Sequence, residues 1–428
     1  FIKLFTFQIL NNMKIFKILL VVAIAFGMMA CNNEQDVPQV IDGPEATISV
    51  KVFPSTNSPG VRSVGDLSGA DATTSPGLEA ESAVKTLEVW IFSGDVLTGY
   101  KSAAGAEVTD IEAIAGASTV VVVANANIGI KGSKADLLDE VKGLPISNIT
   151  AGGLVMTAEP IDVTLMAGNN YYGYSDTEFD AIVAADPSKK THLADGKTAL
   201  PLVRVNARVA IVGATLNYDA VPPTQQEVFD ELRDVEVAMF NVPEETNLFY
   251  ARTAPSASFL ATNDAFQYGQ QWPSPDLSYV GVNDVTPAPN SLLFAGPLTL
   301  PTTPHNLIEN TLAPYFYVNE NTSATAGEKM IIVLRAKPYK VGAAVTSLTN
   351  LYTDTNGYTY YPVWVNLDGI ASPSGVVGDG NVYRNTQYNV TLTINGLGRP
   401  SIDPIDQAFL DVKVEVAPWN VVDQNVVW

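Results

Sequence analysis

Residues 46–53 read ATISVKVF, and their alternation decides the class of fold. Ala46, Ile48, Val50 and Val52 fall on one side and Thr47, Ser49 and Lys51 on the other. A period of two is what a half-buried strand requires. Working outward, KTLEVWIF at 85–92 places Leu87, Val89 and Ile91 on one face. TVVVVA at 119–124 is a continuous apolar run, the pattern of a strand covered on both faces. Further strands are expected over 161–166, 203–212, 329–335, 359–367, 388–394 and 409–416. Turn signals separate them, among them Asn356-Gly357, Asp379-Gly380 and Asn395-Gly396. Helical candidates are few and short, for example 133–141 and 224–232, and 31 Gly with 27 Pro suit many short connections. The expectation is an all-β protein built of β-sandwiches with a few short helices. A polar, aperiodic stretch over 175–197, carrying Asp186-Pro187, precedes strong alternation at 202–212, so the domain boundary is expected near 197. Extended surface loops are expected within 243–323.

Composition narrows the function. In 428 residues, 24 Lys and Arg stand against 45 Asp and Glu, a net charge of −21 that disfavours a nucleic-acid partner. With 46% apolar and 16% charged residues the chain has material for a large core. Two histidines, His192 and His305, and one cysteine, Cys31, exclude cysteine-based zinc sites and internal disulfides.

The lone cysteine has a telling position. Residues 18–30 form an apolar run (ILLVVAIAFGMMA) after Lys14 and Lys17, and Cys31 follows directly. A membrane-spanning helix needs about 20 such residues, so the run reads as a signal peptide over 1–30. Met28-Met29-Ala30-Cys31 resembles a bacterial lipobox, with Met28 in place of the usual Leu, and Cys31 is expected to be acylated. Met13 is expected to open the signal, leaving 1–12 upstream of the true start. A polar tether, NNEQDVPQVIDGPE, follows Cys31.

Motifs for chemistry are weak. Asp354-Thr355-Asn356-Gly357 opens like a calcium loop but lacks the later acidic ligands, and a hairpin turn explains it better. Gly396-Leu397-Gly398 lacks the third glycine of a phosphate loop and reads as a turn. Neither histidine sits in a nucleophile elbow or triad pattern, and the carboxylates read as a solvated acidic exterior. Arg204 and Arg208, four apart in LVRVNARVA, share a strand face, either anchoring acidic groups at the domain junction or facing outward. No metal, cofactor or catalytic residue is expected.

Several segments spread along the chain carry a resemblance. They are ATISV (46–50), NSPGVR (57–62), GLVMTAEP (153–160), AGNNYYGYS (167–175) and RVNARVA (204–210). TYYPVWVN (359–366), RNTQYNVTLTINGLG (384–398) and VAPWNVVDQNVVW (416–428) complete the set. In order and spacing the chain resembles FimA-type major fimbrial subunits of the donor-strand (type V) pilin family of Bacteroidia. The resemblance implies two tandem transthyretin-like Greek-key sandwiches, over 63–197 and 198–428. It implies export as a lipoprotein of the outer membrane, then removal of 31–62 by an arginine-specific protease at the Arg62–Ser63 bond. It also implies head-to-tail polymerisation with further copies and with accessory anchor and tip subunits. The fimbria would serve adhesion to host or bacterial surface receptors and biofilm formation.

The physics agrees with donor exchange. A sandwich missing a strand has an unpaired edge and an open apolar groove, which another chain can fill by β-augmentation. The tail 409–428 has a donor's pattern, with Leu410, Val412, Val414 and Val416 alternating with Asp411, Lys413 and Glu415. Burying those four gains roughly 6–12 kcal/mol gross, at about 1.5–3 kcal/mol each. After Pro418, Trp419, Val421, Val422, Val426, Val427 and Trp428 supply a second apolar segment. The competing readings are that 409–428 closes its own sandwich, and that the chain is a non-polymerising surface lipoprotein or a tip adhesin gripping glycan or host protein. A secreted hydrolase lacks a supporting constellation.

Overall fold

In the computed structural model the opening ATISVKVF stretch forms β1 (Glu45–Pro54), with Ala46, Ile48, Val50 and Val52 all buried. The structure describes residues 43–54, 79–143, 153–188, 190–240, 242–243, 245–249, 294–295, 298, 300–309, 315–322, 329–342, 351–354, 356–366, 380–400 and 410–418. Next along the chain come β2 (Thr86–Ser93), β3 (Val96–Ala104), β4 (Glu107–Ile114), β5 (Gly116–Ala124) and β6 (Val141–Gly143). They are followed by β7 (Met156–Thr157), β8 (Ile161–Leu165), β9 (Gly168–Tyr172), β10 (Lys190–His192) and β11 (Leu200–Arg204). All of these except β6 build one ten-stranded sheet, in the order β10-β9-β1-β11-β7-β5-β2-β3, with β4 on β1 and β8 on β5.

The second half begins with β12 (Asn206–Leu216), β13 (Glu231–Phe240), β14 (Glu245–Asn247), β15 (Phe294–Ala295) and β16 (Asn306–Ile308). It continues through β17 (Tyr315–Asn319), β18 (Ile331–Tyr339), β19 (Thr359–Trp364), β20 (Thr386–Ile394) and β21 (Leu410–Pro418). One sheet runs β16-β12-β20-β21 with β17 on β12, and another runs β15-β13-β18-β19. Their facing apolar residues, among them Ile211, Val237, Leu334, Val363 and Val390, make one core. A separate core draws on residues 46–202. A third cluster, including Trp90, Val121, Val205 and Phe249, takes side chains from both halves. The architecture is all-β, as expected.

Some local expectations change. The run 203–212 is two strands, because the chain passes from one sheet to another at Val205, whose N–H bonds the Val155 carbonyl at 3.0 Å. Over 224–232 only α4 (Pro223–Gln226) is helical; the Asp230 N–H already bonds the Tyr339 carbonyl at 3.0 Å, and β13 starts at Glu231. Over 133–141 the helix is shorter, α2 (Lys134–Leu138), capped by the Ser133 hydroxyl. The stretch 175–197 contains a ten-residue helix, α3 (Asp176–Ala185), which buries no side chain fully and is held by a Ser175–Glu178 capping box. A fourth short helix, α1 (Glu79–Ser82), precedes β2. The Asp354–Gly357 segment is a turn: the Asp354 carboxylate accepts from the Asn356 and Tyr358 N–H groups at 2.9 and 2.8 Å, and Gly357 has φ +81°.

Candidate functional site

β1 lies inside the sheet with neighbours on both edges. β4 pairs with it antiparallel, setting Ile48 opposite Ile111, Val50 opposite Val108 and Lys51 opposite Glu107. β9 runs parallel along 46–50, and β11 runs parallel along 52–54. The four inward side chains are at most 4% exposed and belong to the core of residues 46–202. Burial of Ile48, Val50 and Val52 alone contributes roughly 4.5–9 kcal/mol gross.

The outward face of β1 is fastened by polar contacts. Asn170 Nδ2 donates to the Thr47 carbonyl at 3.0 Å, and the Asp110 N–H donates to Ser49 Oγ at 3.0 Å. Asp110 has φ +53°, and the β1–β4 register shifts between Ile48 and Val50. The Lys51 ammonium forms an ion pair with Glu178 in the first turn of α3. That ammonium, with the Ser175 N–H and hydroxyl, holds the Glu178 carboxyl down to about 2. Glu107, opposite Lys51, accepts the Tyr174 hydroxyl at 2.6 Å. Burial and this carboxylate push the Tyr174 phenol well above its usual range. The backbone of β1 passes close over Gly173 (φ +91°): a Cβ there would lie 2.1 Å from the Lys51 carbonyl oxygen. Only a glycine at 173 leaves room for the β1 backbone at position 51.

A second constellation joins α1 to the two halves. Glu81, fully buried, accepts from Arg208 Nη1 at 2.9 Å and from the Tyr317 hydroxyl at 2.6 Å. Arg204 Nε donates to the Glu81 carbonyl at 2.8 Å, while its Nη1 and Nη2 reach Asn385 Oδ1 and Ser82 Oγ, each at 2.9 Å. Burial lowers the Arg204 guanidinium to about 10 and raises the Tyr317 phenol. Of the two alternatives open for the arginines, the buried anchoring role is observed. They sit on strands of different sheets and converge on one residue of α1. Glu81 and Glu178 had no periodic signal; the Ser175-x-x-Glu178 capping pattern was the one legible clue.

Residues 410–418 of the tail form β21, which among the described residues is an edge strand paired with β20, antiparallel from Ile394 opposite Leu410 to Thr386 opposite Pro418. Leu410, Val412, Val414 and Val416 thus lie in the chain's own sheet. Cys31, Arg62, Ser63, Trp419, Val421, Val422, Val426, Val427 and Trp428 lie outside the described residues. His192 stacks on Phe179 with ring centroids 4.5 Å apart and bonds the Tyr174 carbonyl at 2.8 Å, while His305 stacks on Tyr218. Among the described residues no group of three or more His, Cys, Asp or Glu could hold a metal ion, and no helix is long and apolar enough to cross a membrane.

Comparison with known proteins places this geometry. Residues 46–206 match the major fimbrial subunit protein (FimA) family, and 350–425 match the C-terminal family of major fimbrial subunit type IV, fimbrillin. The major fimbrium subunit FimA type-2 of Porphyromonas gingivalis is 30% identical, over 97% of this chain and 100% of that protein. FimA type-3 of the same organism is 29% identical with the same coverage. The crystal structure of a P. gingivalis fimbrilin (FimA) has the same fold, with a TM-score of 0.60 and 23% identity over 90% of this chain and all of that one. By identity and by coverage of both chains, this protein belongs to the family of FimA major fimbrial subunits.

Proposed function

We propose that this chain is the shaft subunit of a cell-surface fimbria and that β1 is the strand exchanged on polymerisation. In this reading 1–30 direct export, Cys31 is acylated, and an arginine-specific protease cuts Arg62–Ser63. The segment 31–62, β1 included, then leaves, and the tail 409–428 of the next copy takes its place. The mature subunit starts at Ser63 and holds two sandwiches; the expected boundary near 197 moves to Val205, because β11 (Leu200–Arg204) still pairs within the first sheet. The carrying observation is the placement of β1: a strand paired on both edges and buried on its inner face, joined to the body through a segment that contains Arg62. Its loss leaves two unpaired edges and an apolar groove, which a strand from outside can satisfy. β21 suits the donor role because, among the described residues, one ladder, to β20, holds it in its sheet. Such a head-to-tail contact does not close, and so it grows a filament.

The fimbria serves adhesion and biofilm formation, with host or bacterial surfaces, accessory anchor and tip subunits, and further copies of itself as partners. The role is structural, not catalytic. N-terminal sequencing of subunits recovered from surface filaments tests the reading. The expected start is Ser63-Val64-Gly65; filaments whose subunits begin at Cys31 would overturn it.

A further inference from the structure

Donor exchange leaves the register open. The inward places of the groove are those of Ala46, Ile48, Val50 and Val52. Leu410, Val412, Val414 and Val416 can fill them in several ways, because a slip of two residues keeps every apolar side chain inward and exchanges one valine for another. Apolar burial alone cannot choose among these settings. The outward places can. Place 51 stands opposite Glu107 on β4, and the lysine that fills it forms an ion pair with Glu178 on α3. Lys51 precedes Arg62 and leaves with β1, so Glu178 loses its ion partner and Glu107 the cation opposite it at that moment.

Resting on the donor-strand reading above, we propose that the tail enters in a single register. Val412-Lys413-Val414 takes the places of Val50-Lys51-Val52, selected by the Glu107 and Glu178 carboxylates through Lys413. The triplet Val-Lys-Val stands at 50–52 and again at 412–414, and the flanks follow with it. Leu410 then takes the place of Ile48 and Ala408 that of Ala46, a position only 4% exposed. Asp411 takes the place of Ser49, 2% exposed, where the Asp110 N–H that donates to the serine hydroxyl meets a carboxylate oxygen. Lys413 is the only Lys or Arg from 400 to 428. A slip of two in either direction brings Glu415 or Asp411 to the two carboxylates instead. The tail's alternating acids thus make the wrong settings repulsive, which is specificity by exclusion. The strand runs in the direction of β1, parallel to β9, and keeps the carbonyl at place 51 over Gly173.

Paired cysteines read the register directly. Val108 faces Val50 across β4, so the full chain carrying Val108→Cys is combined in turn with Leu410→Cys, Val412→Cys and Val414→Cys. Filaments are sheared from cells, oxidised, and mapped by mass spectrometry of disulfide-linked peptides. The expected result is a covalent subunit ladder for the Val412 pair alone. A ladder with position 410 or 414 instead would overturn the register and leave donor exchange standing. Filaments with no ladder in any of the three would overturn donor exchange itself. Lys413→Glu and Lys413→Arg supply a second readout that decides the matter if the cysteine variants do not assemble. Reversing the charge against two carboxylates is expected to lower filament yield about tenfold, whereas the arginine variant stays near wild type. Wild-type yield from Lys413→Glu would overturn the selection by charge.

Discussion

Replacing Glu81 by alanine is expected to be among the most damaging single changes in the mature chain, although the residue lies in a four-residue helix. Glu81 is 0% exposed and Arg208 is 2% exposed, so their 2.9 Å contact is screened by little water. Removing the carboxylate leaves the Arg208 cation buried without its acidic partner, a change that costs about 3–5 kcal/mol. The Tyr317 hydroxyl loses its 2.6 Å acceptor at the same time. Its desolvation cost, about 1–3 kcal/mol, overlaps with the first and does not simply add. Native domains are stable by roughly 5–15 kcal/mol, so a loss of about 3–5 kcal/mol removes at least a fifth of the variant's stability and up to all of it. Urea unfolding followed by tryptophan fluorescence and circular dichroism measures this, with a lower midpoint and an unchanged slope as the expected result. The Glu81→Ala/Arg208→Met double variant should recover part of the loss, because an apolar side chain no longer strands a charge. A single variant within about 0.5 kcal/mol of wild type, the range of ordinary surface changes, would refute the reasoning.

Deleting 421–428 should give a monomer with unaltered thermal unfolding that forms no filaments; normal filaments, or collapse of the fold, would count against donation through this tail. Cys31→Ala should abolish incorporation of labelled fatty acid and, with it, surface fimbriae. Lys51→Met should cost up to about 1 kcal/mol in the uncleaved chain at neutral pH, since both partners are partly exposed. The sign of its pH dependence follows from a depressed carboxyl: Glu178's contribution is present above its ordinary 4.5 and fades as pH falls toward about 2. The gap between wild type and Lys51→Met should therefore narrow across that window, and a gap independent of pH would contradict the assignment.

Alternation made β1 legible almost to the residue, 46–53 against Glu45–Pro54, because one face is core and the other is not. The same rule merged β11 and β12, since the crossing at Val205 uses a buried apolar residue and no glycine or proline marks the change of sheet. Helix α3 left no periodic trace because no side chain on it is fully buried. At 224–232 the reverse error arose: Phe229 and Leu232, three apart, imitate a helical face while serving a turn and the start of β13. Glu81 was illegible, as its partners Arg208 and Tyr317 lie 127 and 236 residues away. The tail's alternation reads first as a donor and second as a strand of its own sheet. In the single chain it forms the latter, and the match of its outward residues to place 51 emerges only once Glu107 and Glu178 are located.

Donor exchange puts another subunit in the seat of β1 once the fimbria has formed. A filament reconstruction at side-chain resolution tests it most directly, by tracing the strand between β4 and β9. Donor exchange requires density there that continues into 400–428 of the adjacent subunit, with the chain ending upstream at Ser63. Density continuous with the same subunit's own 45–54 would contradict it.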